Sequence, residues 1–297
     1  MLFSIKRFIF LSLFILATPV KASDLNHAIN VYNEALQNFE KNSNTRELAS
    51  DMQTAFIEFE ELAKNGNKTA MTYLGRIYLA GYFKAADSHL ANEWFKKASD
   101  KGDYLAMAYL GRAYVQGDGI RMNIEKGSQL IQTAADKDIP LALRQLALLY
   151  REGTGVEKDQ KKALSLFLKA AEKGDVNAQV WAAYYFEDGL AGDIDLPKAF
   201  SWTKKAAENG RSESMYRLAV LYHSGSGVEA SQVEAAKWLK KAYDKRNSDA
   251  YKLIEQFENR AGGLQGAQKE FAKETMGIFC DTGWNKGCEL YKSFNRP

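Results

Sequence analysis

"LALRQLALLYREGTGVEKDQKKALSLFLKAAEKG", Leu141 to Gly174, carries two apolar periodicities separated by a glycine-rich break. In the first half Ala142, Leu146 and Tyr150 recur at four-residue steps, which stacks them on one face of a helix. Gly153 follows, a residue type that ends helices where the chain must turn left-handed. Asp159 stands before the second half, and its carboxylate suits the free amides of a first helical turn. Ala163, Leu166, Phe167 and Ala170 then make a second apolar face that closes against the first. The stretch predicts a helix-turn-helix hairpin.

The same features return every thirty-six residues in both directions. Ala70, Ala106, Ala142, Ala178, Ser214 and Ala250 form one column, and Tyr78, Tyr114, Tyr150, Phe186 and Tyr222 another. Gly81, Gly117, Gly153, Gly189 and Gly225 keep the register, as do Ala98, Ala134, Ala170, Ala206 and Ala242. So do Trp94, Leu130, Leu166, Trp202 and Trp238, and the capping residues Asp87, Asn123, Asp159, Asp195 and Ser231. A fixed period of this size marks an array of stacked supersecondary units. The small residues let paired helices approach closely, and the Tyr and Trp columns are expected to fill the gaps between neighbouring hairpins. One hairpin cannot bury its own apolar face, so the stack is the folding unit.

The register runs on beyond the clear copies. Asp51, Ala55 and Phe59 stand one period before Asp87, Ala91 and Phe95, which predicts a second helix over 51–66 without a normal first one. "LNHAINVYNEALQNFE", residues 25–40, is expected to be a divergent helix capping the open end. The fold class that follows is all-α, a right-handed superhelical solenoid of helix-turn-helix repeats with a period of 36 residues.

At the other end "FCDTGWNKGCELY", Phe279 to Tyr291, holds both cysteines of the chain. Cys280 and Cys288 are eight residues apart, a spacing open to a metal clip, a redox pair or a structural disulfide. Laid beneath Ala171 to Gln179, "CDTGWNKGC" is displaced by three periods plus one residue. One inserted residue therefore separates it from the register, and the stretch reads as another junction between a second helix and the next first helix. Residues 266–280 become the second helix of a sixth unit and 285–294 a terminal helix.

The first twenty-two residues read differently. Lys6 and Arg7 precede the apolar stretch Phe8 to Ala17, and Val20 and Ala22 place small residues before a cleavage point after Ala22. This is the layout of a secretory signal peptide, and its apolar core is about half the roughly twenty residues a membrane crossing needs. Removing it takes away Lys6, Arg7 and Lys21 and no acid, so the formal charge of +3 disappears. The basic balance therefore belongs to the targeting segment and says nothing of nucleic acid, which calls for a basic face. Only four prolines occur and no Ser/Gly/Pro-rich linker, so the mature chain reads as one continuous body. The expected organisation is a signal peptide over 1–22, an N-terminal capping helix region over 23–50, repeats over 51–246, and a divergent C-terminal repeat and cap over 247–297. The expected location is periplasmic or secreted, with no stable membrane span after cleavage.

Leu141 to Gly174 resembles the Sel-1-like repeat, a relative of the tetratricopeptide repeat, through Gly153, Gly155, Val156, Asp159, Lys162, Ala163, Lys169, Ala170, Ala171 and Gly174. Leu218, Tyr222, Gly225, Gly227, Val228, Ala235, Lys241 and Ala242 form a second full copy, and Leu74-Gly75 and Leu110-Gly111 carry the family's L-G pair. The first and fourth units depart from it: "GYFKAAD" and "GLAGDID" replace the G-x-G-V turn, so those loops are expected to differ in shape. The stretch around Cys280 and Cys288 resembles the C-D-x-G-x-x-x-G-C junction of the cysteine-rich Sel-1-like proteins. That resemblance implies a disulfide joining the two adjacent helices, in keeping with the oxidising compartment that export implies. It makes 247–297 a stapled cap.

No catalytic constellation accompanies the repeats. His27, His89 and His223 lie far apart, and none has a second His or Cys at metal-ligand spacing. Phosphate-binding, metalloprotease and nucleophile-elbow motifs are absent. Glu60-Glu61 and Asp193 with Asp195 are carboxylates of the kind common on solvated helices and loops. Some cysteine-rich relatives have been associated with β-lactam binding or hydrolysis, but the S-x-x-K and K-T-G patterns are not assembled: "SIK" and "SDK" lack the spacing. No cofactor, metal or catalytic residue is expected.

Binding remains. Solenoids use their concave surface for extended partners, and in tetratricopeptide-like stacks the first helix of each hairpin lines it. The positions off the packed face are Tyr73, Arg76, Tyr109, Arg112, Gln145, Trp181, Tyr184 and Arg217. Tyr, Trp and Arg dominate binding hot spots. The expected function is a non-enzymatic scaffold or adaptor for a protein or peptide. Alternatives are a cell-envelope assembly factor, for a motor or polysaccharide exporter, or a host-interaction factor, and, ranked below these, the β-lactam-binding or hydrolysing enzyme that the resemblance to the cysteine-rich relatives implies.

Overall fold

A computed structural model describes residues 24–42, 44–260 and 264–294. The expected signal peptide, with its cleavage point, lies outside the described residues. Among those residues there are fifteen α-helices and no strand.

The chain divides into two compact units, one ending at Lys97 and the other running from Ala98 to Pro297. A single continuous body was expected. Because each repeat in such an array contacts only its neighbours, no core common to all repeats is required, and the chain can divide between hairpins or within one.

The first unit holds α1 (Leu25–Asn42), α2 (Thr45–Lys64), α3 (Lys68–Ala80) and most of α4 (Ser88–Asp100). The capping helix forms as expected and packs on α2. α2 begins earlier than residue 51, because Asn44 accepts from the amides of Arg46 and Glu47 and starts the helix there. Tyr32, Phe59 and Phe95 are buried in this unit.

The second unit holds four packed hairpin pairs, two further helices and a terminal helix. The helices are α5 (Tyr104–Gln116), α6 (Ile124–Ala135), α7 (Pro140–Glu152), α8 (Gln160–Glu172), α9 (Val176–Asp188) and α10 (Leu196–Glu208). There follow α11 (Ser212–Ser224), α12 (Gln232–Asp244), α13 (Ser248–Arg260), α14 (Gly266–Asp281) and α15 (Asn285–Phe294). From α5 to α12 each helix packs on the next, so every second helix lies between the first helix of its own hairpin and that of the following one. The alanine columns make the seam: Ala106, Ala134, Ala142, Ala170, Ala178, Ala206 and Ala242 have no exposed surface. At α5 and α6 the approach needs glycine itself, since a Cβ on Gly127 would lie 2.7 Å from the Gly111 carbonyl oxygen.

In the five hairpins from α3 to α12 the turn between the two helices closes with the same bond. The amides of Asp87, Asn123, Asp159, Asp195 and Ser231 donate to the carbonyls of Tyr78, Tyr114, Tyr150, Phe186 and Tyr222, at 2.8–2.9 Å. The same five residues cap the second helices by side chain, for example Asp159 Oδ1 to the Lys162 amide at 2.9 Å. The variant loops at Gly81 and Gly189 lack the second left-handed glycine that follows at Gly119, Gly155 and Gly227. They differ in path yet keep the closing bond.

Lysines cover several rings of the aromatic columns. Lys126 Nζ lies 2.8 Å from the Tyr114 hydroxyl, Lys162 Nζ lies 2.6 Å from that of Tyr150, and Lys198 sits over Phe186. Lys97, Lys205 and Lys241 each lie over the tryptophan three residues earlier, at 4.3, 4.0 and 3.7 Å. Such contacts shield the ring while leaving the ammonium wet.

Candidate interaction surface

In the second unit, the helix face left over by hairpin packing follows four positions of each first helix. On α9 these are Val180, Trp181, Tyr184 and Glu187, and on α11 Tyr216, Arg217, Val220 and His223. Arg217 and Glu187 form an ion pair across the two helices, and burial holds the Arg217 guanidinium below its ordinary pKa. Tyr184 is 39% exposed and Val220 41%. A hydrogen bond with Asp188 raises the Tyr184 phenol above its usual value. Between α9 and α11 lies a hollow of about 380 Å³ lined by Val180, Glu187, Glu213, Tyr216, Arg217 and Val220.

Trp181 is half-buried and covered on both sides. Phe167 stacks against it at 5.6 Å, the Arg151 guanidinium lies 4.0 Å from its ring centre, and Tyr184 meets it edge-on. Gln145 is only 8% exposed, so little of it is open to a partner. Tyr109 and Arg112 are half-buried, the guanidinium 5.5 Å from the ring centre. In the first unit Tyr73 stacks on Phe59 at 4.8 Å, and Arg76 lies over both Tyr32 and Tyr73. Of the eight expected residues, the structure brings Trp181, Tyr184 and Arg217 together on adjacent helices and packs Tyr73 and Gln145 largely inward.

Sequence reasoning missed Arg151, Tyr216, Val220 and His223. Val220 occupies the column of Arg76, Arg112 and Tyr184, so its position was legible although its type was not. A second hollow, of about 250 Å³, lies on the far side of Val220, among Tyr216, His223, Leu253, Gln256, Phe257, Leu264, Gln268 and Phe271.

Cys280 and Cys288 form a disulfide between α14 and α15, with Cα atoms 4.5 Å apart. Among the described residues no group of three or more His, Cys, Asp or Glu side chains is placed to hold a metal. No described helix is long and apolar enough to cross a membrane. One S-x-x-K spacing escaped the motif reading: Ser201 and Lys204, in "SWTK". Both sit on α10, where Ser201 is exposed and Lys204 lies 4.0 Å from Glu208, a solvated pair on a helix surface.

A Sel1 repeat protein from Oxalobacter formigenes has a similar solved structure, with a TM-score of 0.59 and 22% identity over 90% of this chain and 97% of that one. The protective antigen c5321 of uropathogenic Escherichia coli, described as displaying an SLR fold, matches with a TM-score of 0.54 and 23% identity, over 88% of this chain and 63% of that one. At these identities the likeness shows the fold. No curated protein sequence matches the chain significantly. The family model described as Sel1 repeat matches residues 68–103, 105–139, 140–175, 176–210 and 212–247, five consecutive copies. These segments cover the hairpins whose turns close with the same hydrogen bond, and by them the chain belongs to the Sel1 repeat family.

Proposed function

We propose that this protein is an exported, non-enzymatic scaffold that holds a protein or peptide on the first-helix face of its second unit. Sel1-repeat proteins generally mediate protein–protein interactions, and the repeat is a scaffold fold. The observation that carries the reading is the exposed run of Tyr184, Arg217 and Val220 beside the hollow between α9 and α11. An aromatic ring, a guanidinium and an apolar floor in one place are what a peptide hot spot uses. Export is supported by the signal-like residues 1–22 and by a disulfide of the kind that persists in oxidising compartments. The periplasm or the extracellular space is the proposed location.

The test is affinity capture from the exported fraction with the wild-type chain and with Tyr184→Ala, Arg217→Ala and Val220→Glu. One defined partner, lost in all three variants at unchanged helicity, is the expected result. Equal capture by wild type and variants would place binding elsewhere and sink the proposal.

A further inference from the structure

The hollow beyond Val220 has a chemistry more specific than a general apolar surface. Its walls are Val220, Leu253 and Leu264, with Phe257 and Phe271 each only 5% exposed. Its polar atoms come from Tyr216, His223, Gln256 and Gln268. At about 250 Å³ it is smaller than the roughly 300–1,000 Å³ of ordinary small-molecule sites, and it suits one large side chain.

The state of His223 follows from its neighbours. Gln232 is bonded to it twice: one amide atom lies 3.3 Å from the His223 backbone carbonyl oxygen, the other 2.6 Å from Nδ1. A carbonyl can only accept, so the Gln232 amide must turn its NH2 towards it. The Gln232 oxygen then faces Nδ1 and requires a proton there. In the neutral ring Nε2 is therefore left as an acceptor. Among the described residues nothing bonds to Nε2, and the ring is held by stacking on Phe271 at 4.7 Å. The imidazole is thus pre-oriented beside an apolar cavity with one lone pair unspent.

Among the described residues no Asp, Glu, Lys or Arg lines the cavity. Arg217 pairs with Glu187, and Lys252 lies 3.3 Å from Asp249. A charged ligand gains little there, whereas a neutral ring with one donor at its edge satisfies both the apolar walls and the lone pair. Indole is the side chain that combines the largest apolar body with a lone N–H donor.

We propose that this cavity between α11, α13 and α14 is a socket for one tryptophan side chain of the bound partner, its indole N–H donating to His223 Nε2. This rests on the scaffold reading and names the partner's anchoring chemistry. The test titrates the full chain with N-acetyl-tryptophanamide and with N-acetyl-phenylalaninamide, following the His223 ring by nitrogen NMR. The indole amide should shift Nε2 and bind about tenfold tighter than the phenyl one, the size of one hydrogen bond to a bare acceptor. In His223→Phe, which keeps the stack on Phe271, the preference should vanish. In Leu264→Trp, which fills the socket from its rim, both ligands should fail to bind.

Equal affinities, an unmoved His223 signal, or an indole preference that survives His223→Phe would overturn the socket. Such a result leaves the scaffold reading intact, because partner capture by the Tyr184, Arg217 and Val220 variants is a separate readout.

Discussion

Arg144 on α7 points its Nε at Asp175, 3.0 Å from each carboxylate oxygen, and Asp175 Oδ1 at the same time accepts from the Ala178 amide that opens α9. Only 15% of the arginine side chain and 10% of the aspartate are exposed. One carboxylate thus caps a helix and ties it to the first helix of the preceding repeat. Asp175→Ala removes both functions and leaves a buried guanidinium, a loss of about 3–5 kcal/mol. Asp175→Asn retains an oxygen for the cap and should cost markedly less. Urea denaturation followed by helical circular dichroism separates the two; equal midpoints for both variants would show that the retained capping oxygen contributes nothing.

Gly127 tests how close the helices of a repeat must come. A methyl group there meets the Gly111 carbonyl oxygen at 2.7 Å and the Val115 amide at 2.9 Å. Gly127→Ala should therefore destabilise by about 1–3 kcal/mol through overpacking. Gly192→Ala, where nothing lies within 4 Å of the added Cβ, should be neutral or slightly stabilising. Thermal midpoints of the two variants decide it.

The period made the hairpins, their caps and the terminal junction readable before any coordinates. Alanine columns can only be seams, and Asp or Asn at one fixed step can only be caps. The surface was less legible. Whether Gln145, Trp181 or Arg217 stays open depends on what covers it: Gln145 is packed in, and Phe167 and Arg151 close over the two faces of Trp181. Those covering residues lie in other columns, so a reading of one column cannot weigh them. The socket at His223 needs α14, which lies beyond the regular repeats, and no fixed step leads from His223 to Phe271.

The Cys280–Cys288 bond closes a short loop at the end of the array, where no further repeat lies beyond α15 among the described residues. By chain entropy it stabilises that end by about 2–3 kcal/mol. Reduction, or Cys280→Ser with Cys288→Ser, should lower the amide-exchange protection of α14 and α15 while leaving α5–α8 unchanged. Thiol titration of the native chain should find none reactive; two reactive thiols would remove the staple.

Asp138 adopts a left-handed backbone, φ 60°, and pairs with Lys169 and with Lys173. Hydrogen bonds from these two lysines hold its carboxyl below the ordinary value of 3.8. The sign follows: the contribution is present above the ordinary carboxylate range and is lost as pH falls through the lower folded value. Asp138→Asn, which tolerates the same backbone, should flatten the thermal midpoint's dependence on pH below about 4. An unchanged acid limb would show that the two lysine contacts are unused in solution. The site is exposed, so the effect is small.

The central claim is that a partner sits on the first-helix face. Photo-crosslinking in cells addresses it directly, with a photoreactive residue placed at Tyr184 or Val220 on that face, or at Ser165 or Ser201 on the exposed surface of second helices. The account predicts one discrete adduct in the exported fraction from Tyr184 and Val220 and none from Ser165 or Ser201. Adducts from the serine positions alone, or none from either face, would contradict it.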